Sequence, residues 1–420
     1  PAAAYMARRP DLRLGGMVLT SVTSYATATM LVLLLMTMAG LYLTVAQSLL
    51  WGVLLASALF LLVGVFIDGL EASDLLWNGD MQRHFGPGRP EARPRMVSIH
   101  VAICKEPPEM VRRTLSALAA LDYPNFEVIV VDNNTPDPAM WKPVEAYCQV
   151  LGSRFRFIHR DTLPGYKAGA LNLALSETAP EAEIIAVIDS DYVVASNWLA
   201  DLTPHFADPE IGLVQAPQDY SDLAENRFKA SCYWEYKGFF HIGMVRRNEA
   251  DAIIQHGTMT MVRQTALRQA GGWAEWCITE DAELGLQLAS LGWKSAYTAR
   301  SYGKGVMPDT MRAYKMQRLR WAYGAVQIMK RHWRWFLTGG NTKLTPAQRF
   351  HYVAGWLPWL TDAAGLIFTV AALVWTVLLA TMRDMDTPPV VVLVPALGAF
   401  IFRQWRVLFL YRRTIACTAQ

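Results

Sequence analysis

Ile184-Ile185-Ala186-Val187-Ile188 runs directly into Asp189-Ser190-Asp191. Five successive apolar residues show no polar alternation, so they read as a strand buried on both faces. Charge arrives only at the strand's C-terminal end. Upstream, Phe126-Glu127-Val128-Ile129-Val130-Val131 is apolar after Glu127 and ends in Asp132. Val97–Ile103 and Phe155-Arg156-Phe157-Ile158 read as further strands, with helical segments over 108–121 and 168–176. Strands alternating with helices, and acids where strands end, predict a mainly parallel, Rossmann-like α/β sheet with its site along that edge.

The chain around this core is too apolar for a soluble protein. Its 420 residues are 53% hydrophobic and 18% charged, where soluble domains carry nearer a quarter charged. Residues 26–46 and 49–67 are apolar runs separated by Gln47-Ser48. Each is about 20 residues, enough to cross a hydrocarbon core, so a transmembrane hairpin is predicted over 26–67, after a cytoplasmic segment 1–25. Arg8, Arg9 and Arg13 place its ends in the cytoplasm by the positive-inside tendency. A polar linker is expected over 68–94, then a catalytic domain over 95–335. An aromatic-rich interfacial helix is expected over 345–362, followed by two spans within 363–410. The opening Pro1 and the stop after Tyr411-Arg412-Arg413 suggest further segments of a longer polypeptide.

Several function classes drop out early. A net charge of +3 with no long basic run argues against nucleic acid. Five scattered cysteines with no Cys-x-x-Cys pair argue against a zinc ribbon or a disulfide framework. His241, His256 and Glu283 are not spaced as a zinc site, and no glycine-rich phosphate loop occurs.

Four clusters carry chemistry. Asp189 and Asp191, at i and i+2 after a strand, can converge on a divalent cation that neutralises a diphosphate, although such a pair alone also suits a solvated turn. Lys167, ahead of Ala168-Gly169-Ala170-Leu171-Asn172, is a phosphate ligand or a loop cation. Thr279-Glu280-Asp281 opens a helix. Thr279 suits an N-cap, and the acids suit either the helix dipole or a general base, with Asp281 the base. Gln317, Arg318, Arg320 and Trp321 are related by i,i+3 and i,i+4 steps and should share one broad face of a helix opening near Pro308-Asp309. Arg grips a diphosphate bidentately and Trp stacks on a sugar ring. A basic amphipathic helix lying on anionic lipid is the competing reading, with Lys315, Lys330, Arg331 and Arg334 serving it.

With these residues in hand, the chain resembles the processive, inverting family-two glycosyltransferases, the group of cellulose, hyaluronan and bacterial β-glucan synthases. The resemblance covers roughly residues 95–335. It implies a GT-A fold flanked by transmembrane helices, a UDP-sugar donor, Mg²⁺ or Mn²⁺, and a growing glycan carried through the bilayer. Residue by residue, it implies that Glu106, Asp132, Lys167, Asp189, Gln317, Arg318 and Arg320 meet the nucleotide sugar. Asp189 and Asp191 would hold the metal, and Asp281 would be the base. His256, Gly257, Thr258, Glu280 and Trp321 would meet the acceptor. Cys104-Lys105 stands where the family usually carries Tyr-Asn. The wording Val130-Val131-Asp132-Asn133-Asn134 and Lys167–Asn172 is closest to bacterial β-glucan synthases of the β-1,3 or β-1,6 kind. The expectation is glucose transfer from UDP-glucose to a β-glucan at the cytoplasmic face of a bacterial inner membrane. A non-processive transferase with a lipid-linked acceptor, or a binding or transport protein with an inactive transferase domain, are the alternatives.

Overall fold

The computed structural model describes residues 14–39, 44–77 and 83–381, together with 401, 405, 408, 409, 411 and 412. The second span expected within 363–410, after residue 381, and the N-terminal arginines lie outside the described residues. The chain divides into two compact units, 82–353 and the two flanks 1–81 with 354–420.

In the central unit a seven-stranded sheet has the order β3-β2-β1-β4-β7-β6-β8. The strands are β1 (Val97–Ile103), β2 (Phe126–Asn133), β3 (Phe155–Arg160), β4 (Ile184–Val187), β6 (Ile211–Gln215), β7 (Thr260–Arg263) and β8 (Lys294–Tyr297). A small ribbon joins β5 (Val193–Val194) to β9 (Gly303–Lys304). Neighbours from β3 to β4 run parallel, as do β6 and β8; β7 alone is antiparallel to both strands it touches. The sheet is therefore mainly parallel, as the buried apolar runs imply. Val97, Ile99, Val128, Val130, Ile184 and Ala186 lie at its centre with no measurable exposure.

Register decides where the chemistry gathers. Ile103 pairs with Asp132, and Asp132 with His159, so β1, β2 and β3 end level with one another. The Ile188 amide bonds His100, bringing Asp189 to the same edge. The reversed strand β7 starts where the others finish, because Thr260 pairs with Val187. Residues 256–259 thus arrive beside the strand ends from the opposite direction.

The helices that matter here are α1 (Leu14–Ala39), α2 (Val45–Trp77), α3 (Pro108–Ala119), α4 (Pro138–Leu151), α5 (Tyr166–Ser176), α6 (Arg227–Gly238), α7 (Glu280–Leu291), α8 (Met311–Thr338) and α9 (Pro346–Thr381). Asp137 caps α4 through the Ala139 amide, and Thr310 caps α8 through the Ala313 amide. The cap fixes the start of α8 two residues beyond the expected Pro308-Asp309. It ends at Gly339, whose φ of 82° needs no Cβ.

Helices α1, α2 and α9 contain stretches long and apolar enough to cross a membrane: Leu14–Leu33, Val45–Glu71 and Pro346–Leu378. Their bounds differ from the expected ones. Gln47 does not break the hairpin: its Oε1 accepts from the Thr44 amide while Thr44 Oγ1 accepts from the Gln47 amide, a reciprocal cap that starts α2. Thr345 and Gln348 repeat the device at the start of α9. Residues 346–381 form one continuous helix that includes Pro358, where an interfacial helix and a separate span were expected. Small residues let the spans approach closely. A Cβ on Gly69 would fall 2.3 Å from Thr23 Cγ2. Trp51 and Trp375 meet edge-on at 5.2 Å.

Candidate active site

At the C-terminal edge of the sheet, Lys167 sits among carboxylates. Its ammonium donates to Asp189 Oδ1 and to the Gly257 carbonyl at 2.9 Å. The Asp189 amide donates to Thr258 Oγ1 at 3.0 Å. Burial opposes charge on Lys167, but Asp189, Glu280 and Asp281 outweigh it and hold the ammonium protonated far above the ordinary lysine range.

Gly257 lies beside both this cation and Asp281. A Cβ there would come 2.9 Å from Lys167 Nζ and 3.1 Å from Asp281 Oδ2. Gln215 holds the turn that carries it, donating to the Thr258 carbonyl at 2.9 Å and accepting from the His256 amide at 3.2 Å. Met259 completes the turn at φ 54°, a left-handed conformation that costs a non-glycine residue energy. The structure thus brings Lys167, Asp189, Gly257, Thr258, Glu280 and Asp281 together.

The two acids of α7 are both perturbed. Burial first, and then the neighbouring Asp281, push Glu280 up to about 7, with Lys167 opposing. Burial also raises Asp281, against Lys167 and an Ala282 amide that donates to its Oδ1. Such acids lie nearer neutral pH, where a base works best. Thr279 occupies the N-cap position but makes no side-chain cap. Its side chain packs instead against α8, where a Cβ on Gly324 would fall 2.1 Å from Thr279 Oγ1.

Glu106 and Asp132 stand at neighbouring strand ends, yet their oxygens are engaged. Asp132 is 1% exposed and accepts from Thr135 Oγ1 at 2.6 Å and pairs with His159 Nδ1 at 2.7 Å. Trp141 stacks on that imidazole at 4.1 Å. Burial opposes protonation of His159, but Asp132 and Asp161 raise its pKa. Glu106 Oε2 takes the Cys104 amide; burial above all, then Asp132 and Asp189, raises its pKa. His159 was not among the expected site residues, because only the register of β2 on β3 reveals it.

The expected metal pair consists of hard oxygen donors of the kind Mg²⁺ and Mn²⁺ take. Asp189 gives one oxygen to Lys167 and Asp191 gives one to the Val306 amide at 3.3 Å, leaving each a second. Burial and then Asp189 push Asp191 up to about 6. Among the described residues one acidic trio has metal-like spacing, Asp222, Glu225 and Asp309. Lys229 Nζ fills it at 2.7, 2.7 and 2.6 Å, so its charge is met from within.

Of Gln317, Arg318, Arg320 and Trp321, the first two and the last gather around Tyr236 of α6, and Arg320 stands apart. Gln317 accepts from the Tyr236 hydroxyl of α6. Arg318 pairs with Glu235 at 2.9 Å and lies over Tyr236, Tyr314 and Trp321 at 4.8, 4.9 and 4.6 Å. Arg320 is exposed. The reason is α6: its Glu235-Tyr236 pair supplies a carboxylate and a ring that capture Arg318. The opposite side of α8 leaves Met316, Leu319, Tyr323, Val326, Trp333 and Leu337 exposed at heptad spacing.

A family model described as glycosyl transferase family group 2 matches residues 184–402. Curated relatives include a probable glucomannan 4-beta-mannosyltransferase 3 of Oryza sativa subsp. japonica, 27% identical over 56% of this chain and 44% of its own. Cellulose synthase 1 of Komagataeibacter xylinus is 28% identical over 68% of this chain and 18% of its own. The chain therefore spans less than half the length of these relatives. The mannosyltransferase PcManGT from Pyrobaculum calidifontis, solved with GDP-Man and Mn2+, superposes with a TM-score of 0.62 at 20% identity, covering 88% of this chain and 98% of its own. That likeness shows the fold, a GT-A-like sheet.

Proposed function

The chain belongs to glycosyl transferase family group 2, and from that premise we propose that it is a membrane-embedded, processive, inverting hexosyltransferase that extends a β-linked polysaccharide. The observation that carries the reading is the placement of Asp281 beside Gly257 and Lys167, on a helix whose first turn packs against the Gln-Arg-Leu-Arg-Trp helix.

Asp281 takes the proton of an acceptor hydroxyl as its oxygen bonds to the donor's anomeric carbon. The bond from that carbon to the diphosphate breaks on the opposite face, and the electron pair leaves with the nucleotide. Attack from that side inverts the configuration and gives a β-linkage from an α-linked donor. Lys167, with Arg320, meets the charge that grows on the leaving diphosphate, where preorganised cations act most strongly. A divalent cation held by Asp189 and Asp191 would add Lewis-acid neutralisation of the same diphosphate. Trp321 offers its ring to the acceptor sugar. The exposed apolar stripe of α8, flanked by Lys315, Lys330, Arg331 and Arg334, suits a lipid surface.

We take UDP-glucose as the donor and a glucan as the product. The relatives named for glucomannan 4-beta-mannosyltransferase activity support a second reading, with GDP-mannose as donor. The β-1,3 or β-1,6 preference rests on wording that the fold uses as scaffolding. Asn133 and Asn134 bond the Tyr166 and Leu163 carbonyls, and Asn172 bonds Trp273 and Glu275. Those residues hold the segment that carries Lys167. Nucleotide release from UDP-glucose and from GDP-mannose by membranes bearing the protein decides the donor. Release from neither, with metal present, contradicts the reading.

A further inference from the structure

Tyr236 is 3% exposed and fixed on every side. Its ring stacks on Tyr220 at 4.9 Å, meets the Trp321 edge at 6.0 Å and lies under the Arg318 guanidinium at 4.8 Å. Arg318 is itself anchored by Glu235, which also accepts from the Tyr314 hydroxyl at 2.8 Å. The phenol has little freedom to turn, and its hydroxyl donates to Gln317 Oε1.

This bond assigns the amide oxygen to the phenol. A glutamine offers one acceptor oxygen and an NH₂ with two donors. With Oε1 taken by the phenol, the NH₂ is left to face the other way. Gln317 lies seven residues before Gly324 on α8, and residues seven apart on a helix share a face. Gly324 packs on Thr279, next to Glu280 and Asp281. Gln317 therefore stands on the same stripe of α8 as the contact with the turn that carries Glu280 and Asp281.

We propose that Tyr236 is a positioning residue that locks the Gln317 amide with its NH₂ toward the reacting sugars, making that end a donor to an oxygen of the bound substrate. The oxygen belongs either to the donor diphosphate or to the acceptor sugar. Both present lone pairs and would reject a carboxylate in place of the amide. The inference rests on the transferase reading above and adds the residue that orients its glutamine.

The test compares Tyr236→Phe, Gln317→Glu, Gln317→Ala and the double variant Tyr236→Phe/Gln317→Ala in membranes, reading sugar transfer, inhibition by UDP and thermal stability. Tyr236→Phe keeps the ring and its packing. It should cost about three- to tenfold in transfer, the scale of one hydrogen bond. Gln317→Glu should cost about a hundredfold, because one carboxylate oxygen keeps the phenol while the other, which accepts only, meets the substrate oxygen. In the Gln317→Ala background, Tyr236→Phe should cost nothing further, whereas a purely structural tyrosine would add its full effect there. Weaker UDP inhibition in Tyr236→Phe identifies the diphosphate as the partner, and unchanged inhibition with slower transfer identifies the acceptor. The inference is overturned if Tyr236→Phe transfers like wild type, if Gln317→Glu does, or if the two effects simply add. A wild-type chain that transfers no sugar overturns the transferase reading and this inference with it.

Discussion

Gly324 and Thr279 touch so closely that a Cβ on the glycine would fall 2.1 Å from the threonine Oγ1 and 2.5 Å from its Cγ2. This contact joins the helix carrying Trp321 to the turn carrying Asp281, two motifs about forty residues apart. Gly324→Ala must push one of them away. It should cost about 1–3 kcal/mol in unfolding free energy and lower transfer by more than that loss explains. Thr279→Ser, which removes the crowding methyl, should recover part of both in the double variant, as read by denaturant melts and transfer assays.

Gly257 is the tighter test of the site. Its absent Cβ leaves room for Lys167 Nζ and Asp281 Oδ2 to stand near each other. Gly257→Ala should move the lysine end or the base by a fraction of an ångström. A misplacement on that scale costs about a hundredfold in rate. Stability should change little, because the lysine tip can yield. Wild-type transfer by Gly257→Ala would mean that this approach has no catalytic importance.

The two acids of α7 set the pH dependence. Glu280 is pushed up to about 7 and Asp281 is raised with it. With Asp281 as the base, which must have lost its proton, transfer should rise with pH over a range shifted above the ordinary carboxylate one. Lys167 opposes both shifts, so Lys167→Met should move the acid limb to higher pH. Stability runs the other way. A carboxyl whose folded pKa exceeds its unfolded value binds more protons when folded, so its contribution weakens as pH rises from the unfolded value to the folded one. For Glu280 that window runs from 4.5 to about 7.

Much of this site was legible in local sequence, and the unread part has a common cause. The apolar runs ending in Asp132 and Asp189 mark the sheet edge, because burial and charge follow one another along the chain. Gln47-Ser48 reads locally as a break between spans, whereas Gln47 pairs with Thr44 to start α2, a bond that hydropathy does not mark. His159 and Tyr236 escaped because their partners are distant in sequence: the first depends on the register of β3, the second on a helix pairing 81 residues long. The reversal of β7, which brings Gly257 to the edge, is a property of strand order and leaves no local mark.

Arg318 and Arg320 should separate cleanly. Arg318 sits among three rings and Glu235, so Arg318→Ala should destabilise the domain by about 1–3 kcal/mol and reduce transfer in consequence. Arg320→Ala should leave the melt unchanged while weakening donor binding, and Lys should not rescue it because the planar fork is lost. Trp321→Phe should keep part of the activity and Trp321→Ala little, with UDP affinity spared in both. If UDP affinity collapses with Trp321→Ala while Arg320→Ala is silent, this division of labour is wrong.

The central claim is that Asp281 is the base of a polymer-forming transferase. Its most direct test is radiolabel incorporation from UDP-glucose, and in parallel from GDP-mannose, by membranes bearing the wild-type chain or Asp281→Asn, with the product sized on a gel. The account predicts high-mass labelled product from the wild type, a loss of about 10²–10⁴-fold in Asp281→Asn, and nearly unchanged nucleotide binding by that variant. Label confined to a single added sugar, or a polymer made equally well by Asp281→Asn, would contradict it.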